Sequence, residues 1–240
     1  MEQSAFNFRN YRRDCWLGAL GALLMLAGDL CLSVIPAHVG DGGLFAREAY
    51  LSGGFSSWRL PLLVATGLCG MSFGFFSVRA SYTQVLPQYR KTRTALLAGG
   101  VVYVATAGAL HLFIGSLADW TGALAPVVGR ETTLSMIQSQ YARVIPAMGI
   151  AYVGMILMIL VSAYAVLARK TVLPRWMFFV HMIVWQILFV LIPDVRQMLG
   201  AEISTWDFVL SQSSGNAALL LWMAANAIWA GRQMEKTEVK

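Results

Sequence analysis

Apolar residues fall into six long blocks separated by short polar connections that carry the glycines, prolines and most of the charges. The first block, residues 16–37, reads WLGALGALLMLAGDLCLSVIPA. Its 22 residues exceed the about 20 that a helix needs to cross a bilayer core. Further blocks at 58–86, 94–117, 147–167, 174–193 and 206–230 have comparable length and predict five more spans. The fold class expected is all-α: a polytopic membrane protein forming one domain over 1–240, built as a bundle of six transmembrane helices. Two connections hold pattern of their own. Residues 38–57 carry glycine pairs at both ends around one or two turns of helix at 44–51. In the long connection 118–145, Leu134, Ile137, Tyr141 and Val144 recur on one side, with Ser135, Gln138, Ser139 and Arg143 on the other. That period predicts an extra interfacial amphipathic helix, leading into the fourth span through Pro146.

Small residues recur at helical spacing. Gly67, Gly70, Gly74, Ser77 and Ser81 form a stripe on the second span, which predicts close backbone approach by a neighbour. In the first span Gly18, Ala22, Met25, Asp29 and Ser33 share a face, so its single acid lies among small residues.

Composition removes the soluble alternative: 58% of residues are hydrophobic and 12% charged, about half the usual share of roughly 25%. The net charge of +6 does not signal nucleic-acid binding, because the cations sit between apolar blocks, where they set orientation. Arg9, Arg12 and Arg13 precede the first span, Arg79, Arg90, Lys91 and Arg93 flank the connection after the second, and Arg169, Lys170 and Arg175 follow the fourth. The alternate connections hold Arg47, Arg130 with Arg143, and the acidic stretch Asp194 to Asp207. The positive-inside rule then predicts a bacterial inner-membrane protein with both termini in the cytoplasm. The first block is too long for a signal peptide and lacks a small-x-small cleavage site, so it is expected as a retained helix. Cys15, Cys31 and Cys69 form no CxxC pair and are expected as small buried hydrophobes.

The candidate chemistry comes from polar residues inside the blocks. At 1.5 Å per residue, Asp29 lies about 12 Å below the outer end of its predicted helix, His111 about 9 Å and Gln186 about 10 Å. Gln212 and Asn216 lie about 9 and 15 Å below Trp206. Ser211, Ser213 and Ser214 occupy the same band. Hydrocarbon cannot solvate these groups, so they are expected to converge on one another or on a cavity open to the periplasmic side. His181 and Asn226 fall deeper and are expected to hold helices together.

Several chemistries suit this band. Asp29 and His111 form a structural hydrogen bond, or anchor the polar end of a lipid-like or small polar ligand, with Gln186, Gln212, Ser213 and Asn216 around it. A hydrolase would use Asp29 and His111 as catalytic groups, either with His38 around zinc or with Ser213 or Ser214 as nucleophile. No HxxxH or HExxH pattern is present, so no metal or cofactor is expected. Proton-coupled transport needs a membrane carboxylate, which is here, but no internal repeat accompanies it. The expected partners are membrane lipids, with no nucleic acid, and whether a reaction is catalysed stays open.

GALLMLAGD at 21–29, RLPLLVATGLCG at 59–70, GALHLFIG at 108–115 and SGN at 214–216 resemble an uncharacterised bacterial six-pass membrane family known only as a domain of unknown function. The resemblance implies that Gly28, Asp29, His111 and Asn216 hold that family's distinguishing polar positions, and it implies no activity. A fainter similarity, through the Gly28–Asp29 helix, is to the ceramidase and lysoplasmalogenase type of membrane hydrolase. The chain departs from that group in having six blocks and no paired histidines.

Overall fold

A computed structural model describes residues 6–36, 41, 47–202 and 204–238. The elements are α1 (Phe8–Ser33), α2 (Glu48–Leu51), α3 (Arg59–Thr83), α4 (Arg90–Val128), α5 (Arg130–Leu167), a 3-10 helix (Arg175–Val180), α6 (Met182–Met198) and α7 (Thr205–Glu238). The only β pairing among the described residues is an isolated antiparallel bridge between Val85 and Thr171. Five segments are long and apolar enough to cross a membrane: α1, α3, α4, α5, and the 3-10 helix taken with α6. The outward residues of α5, among them Ile150, Val153, Leu160 and Tyr164, are exposed, as expected of a surface made for lipid. α7 is not among the five; its apolar centre lies between the polar start SQSSGN and a charged tail.

The long helices pack in the order α5, α4, α3, α1, α7, α6, with sparse contact where α6 meets α5 again. Each neighbour runs antiparallel to the last, so the start of α1 and the end of α7 lie at the same end of the bundle. The small-residue stripe explains the closest pairs. A Cβ on Gly21 would stand 2.9 Å from the Gly70 carbonyl oxygen and the Gly74 nitrogen, and one on Gly18 only 2.5 Å from Ser77 Oγ. Gly99 on α4 and Gly154 on α5 meet reciprocally: a Cβ on Gly99 would stand 2.8 Å from the Gly154 carbonyl oxygen, and one on Gly154 2.9 Å from that of Gly99.

Three expectations about elements are corrected. The third span does not end at 117, and residues 118–145 are not a loop with a separate interfacial helix. α4 has 39 residues and α5 has 38, separated by Gly129 alone. Gly129 adopts φ +84°, a conformation open to glycine, and its carbonyl accepts from both the amide and the hydroxyl of Thr133. Within this part of α5 Ile137 is buried against Leu117, with Tyr141 packed beside it, while Ser135 and Gln138 face outward. Pro146, taken as a boundary, lies inside α5, because a proline in an apolar helix loses one hydrogen bond without ending the helix. The level of Leu63 matches Gly115, so residues 116–128 extend about 20 Å past it. The predicted fifth helix also changes form. His181 breaks it with ψ 147° and caps α6, its Nδ1 accepting from the Ile183 amide at 3.2 Å. Finally, Cys15 and Cys31 are buried but Cys69 is exposed on α3.

A buried polar chain ties five helices near the start of α1. The Tyr11 hydroxyl donates to Asn226 Oδ1 at 2.8 Å and lies 3.1 Å from Gln84 Oε1. Gln84 Nε2 donates to Ser162 Oγ at 3.3 Å, and His181 Nε2 lies 3.1 Å from the same oxygen. Since His181 Nδ1 accepts, its Nε2 carries the proton and donates. Asn226 Nδ2 donates to the Trp222 carbonyl at 2.7 Å. Beside this chain Asp14, buried, is paired with Arg79 at 3.0 Å and Arg13 at 3.1 Å.

The reciprocal glycine contact gives a direct expectation. Gly154→Ala should destabilise the protein by about 1–3 kcal/mol, because α4 and α5 must separate, and it should lower the thermal midpoint in detergent. Gly149→Ala, where no atom lies within 4 Å of the new Cβ, should leave the midpoint unchanged or raise it slightly.

Candidate functional site

Asp29 is placed by the way α1 ends. Pro36 disfavours helix at Ile35, so the last carbonyls of α1 need partners from elsewhere. Arg59 Nη1 donates to the Cys31 carbonyl at 2.8 Å and the Tyr50 hydroxyl to that of Leu32 at 2.5 Å. The guanidinium of Arg47 donates to Ser33 at 3.3 Å and also to Ile35. Burial pushes the Tyr50 phenol up to about 12, which keeps it protonated as a donor. Arg47 is fully buried and its guanidinium lies 4.4 Å over the Phe208 ring, which joins the end of α1 to the start of α7. In the sequence Arg47 reads only as a loop charge; its neighbours Ala46 and Glu48 give no sign of burial. These cations also sit favourably at the negative end of the helix dipole.

One turn before that capped end, Asp29 faces α4 and α7. Asn216 Nδ2 donates to Asp29 Oδ2 at 2.7 Å, and His111 Nε2 stands 3.7 Å from Asp29 Oδ1. The second distance is an ion-pair separation and too long for a hydrogen bond. Glycines make the space for the imidazole: a Cβ on Gly67 would stand 3.2 Å from His111 Cβ, and one on Gly28 3.7 Å from His111 Nδ1.

These groups open on a cavity of about 410 Å³. Gly28 and Asp29 of α1 form one wall, with Tyr103, Ala107 and His111 of α4 beside them. Met148, Ala151, Tyr152 and Met155 of α5 face Gln186 of α6, and Ser211, Gln212, Ser214 and Asn216 come from α7. Of the residues expected at the site, Asp29, His111, Gln186, Gln212 and Asn216 all reach this space. Ser213 does not: it points away and its buried hydroxyl has no hydrogen-bond partner. His38 lies outside the described residues. The sequence reading missed Tyr103 and Tyr152, although Tyr103, Ala107 and His111 share a face at four-residue spacing and Met148 and Tyr152 do likewise.

Two acceptors at the site are unsatisfied. Asn216 is 7% exposed, and its Oδ1 is buried with no partner. Asp29 Oδ1 accepts no hydrogen bond, His111 standing beyond hydrogen-bonding range. Asp29 is the one acidic side chain in the lining, which among the described residues contains no lysine or arginine. Among the described residues no three His, Cys, Asp or Glu side chains gather closely enough to hold a metal ion. Ser214 donates to the Ser211 carbonyl at 3.2 Å and not to a histidine.

The Asp29–Asn216 contact should show as coupling between the two positions. In a cycle of Asp29→Asn, Asn216→Ala and the double variant, followed by thermal unfolding in detergent, the interaction should be about 1–3 kcal/mol. Additive effects would mean that the two side chains do not meet.

Comparison with curated proteins and with solved structures gives no match. The model of one protein family, described as a family of unknown function (DUF6796), matches residues 1–228, and the chain belongs to that family.

Proposed function

We propose that this protein is a six-pass inner-membrane bundle, with both termini in the cytoplasm and α7 as the sixth span, whose cavity binds a lipid-like or small polar molecule. Asp29 is the anionic anchor, His111 the hydrogen-bonding group beside it, and Gln186, Gln212 and Asn216 the amides that orient the ligand. On this topology the cavity opens toward the periplasmic side.

The observation that carries the reading is the buried Asn216 Oδ1, which has no hydrogen-bond partner, on a residue that with Asp29 lines a cavity of about 410 Å³. A buried acceptor without a partner costs roughly 1–3 kcal/mol, so a group that supplies a donor there gains that much. The polar chain through His181 gives the comparison. There, His181, Ser162 and Gln84 are paired with one another, which supports a holding role for them and a binding role for the other layer. Hydrolysis by a serine nucleophile is less favoured, because Ser213 does not reach the cavity and the Ser214 hydroxyl is spent on a carbonyl.

The test is comparative lipid analysis of protein purified in mild detergent. Wild type should carry a compound enriched over bulk lipid. Asp29→Asn and His111→Ala should lose it while still expressing and folding, and His181→Ala should keep it with a lower thermal midpoint. Equal unfolding of all three variants would instead make the Asp29 layer structural, and stoichiometric zinc in the purified protein would favour a hydrolase.

A further inference from the structure

Among the described residues the cavity lining has one carboxylate, a buried amide oxygen without a donor, and no lysine or arginine, and this sets the chemistry of a complementary group. Asp29 Oδ1 accepts no hydrogen bond and has His111 Nε2 at 3.7 Å, and Asn216 Oδ1 is buried without a donor on a residue 93% inaccessible. Gln186, Gln212 and Ser211 add oxygen acceptors around the same space. Among the described residues neither lysine nor arginine lines it. A phosphate or carboxylate would meet the Asp29 carboxylate with no cation to offset it, a repulsion strengthened by the low dielectric of the surroundings. A primary ammonium is the complementary group. It has three donors and no acceptor, which suits Asp29 Oδ1, Asn216 Oδ1 and one further oxygen. Tyr103 and Tyr152 add aromatic rings to the lining, surfaces that attract a cation.

The walls indicate what carries that group. α5 contributes four residues to the cavity and α6 only Gln186, and the two helices touch sparingly. Tyr152 both lines the cavity and is 51% exposed, so its side chain spans the seam between interior and outer surface. On either side of the seam the outer surface is apolar, with Val153 and Ile156 on α5 and Ile187 and Val190 on α6. An apolar chain attached to the bound group can leave through this seam into lipid.

We propose that the ligand is a long-chain primary amine, its ammonium held by Asp29 and Asn216 and its chain passing between α5 and α6. This rests on the binding role proposed above for the same cavity. The probes are dodecylamine, dodecanol, dodecyl phosphate, butylamine and dodecyltrimethylammonium, added below their micellar concentrations to the full-length protein in detergent, with binding read from saturable thermal shifts. Dodecylamine should bind, and Asp29→Asn should weaken it by about tenfold to a hundredfold, as loss of a hydrogen bond to a charged group does. Dodecyltrimethylammonium, which keeps the charge and lacks the donors, should also bind at least about tenfold more weakly in wild type, a comparison that needs no variant. Butylamine should give no shift at the same concentration. A photoreactive diazirine in the dodecylamine chain should label α5 or α6. Dodecyl phosphate or dodecanol binding as well as or better than dodecylamine would overturn the amine while leaving the cavity as a binding site. No binding by any probe would overturn both. Labelling confined to α1 and α3 would overturn the route between α5 and α6.

Discussion

Inside hydrocarbon no water is available to hydrogen-bond a polar side chain, so each such group must find its partner within the protein. That constraint separates this bundle into two polar layers of different character. Near the start of α1, Tyr11, Gln84, Ser162, His181 and Asn226 bring one or two polar groups from each of five helices and join them in a continuous chain. The other layer, around Asp29, uses one strong contact, the Asn216 amide on Oδ2, and leaves acceptors facing a cavity. The first layer fixes the helices; with that done elsewhere, the second is free to remain unpaired.

Position in the second layer is set by small residues and by the end of α1. Gly18, Gly21, Gly70 and Gly74 let α1 and α3 approach backbone to backbone, and Gly67 then admits His111 of α4 to the α1 interface. Arg47, Arg59 and Tyr50 hold the last carbonyls of α1 and stop it at Ser33. Asp29 therefore sits about one turn from a rigid, capped end. The two guanidinium groups and the phenol beside that end give Nη and hydroxyl donors to carbonyls and none to the carboxylate.

The sequence disclosed the helical class and the polar band because both depend on short-range period: apolar blocks of bilayer length, and small residues every three or four positions. It placed Asp29, His111 and Asn216 at one level even though the reasoning about depth used wrong helix ends. α1 stops four residues earlier than 37, at Ser33, and α4 runs eleven residues beyond 117, to Val128. The errors did not matter to the site, because alignment between helices is set by Gly67 against His111 and not by where a helix stops. What stayed hidden was long-range. Pro146 looked like a boundary because a proline ends helices in water, and Gly129 looked ordinary among many glycines until its φ was known. Arg47 carried no local sign that its guanidinium would be enclosed by carbonyls and the ring of Phe208, 161 residues away in sequence.

The identity of residue 216 follows from the unequal ends of its side chain. A carboxamide presents a donor and an acceptor within one planar group. Here the donor end is committed to Asp29 Oδ2, so the acceptor end is turned elsewhere by geometry, and it has no partner. An aspartate at 216 would set two carboxylates together and force one to hold a proton. A leucine would leave the Asp29 carboxylate without a hydrogen bond, and a lysine would neutralise it and fill the space. Asparagine alone among these leaves the Asp29 side chain hydrogen-bonded on one oxygen while adding a second acceptor beside it.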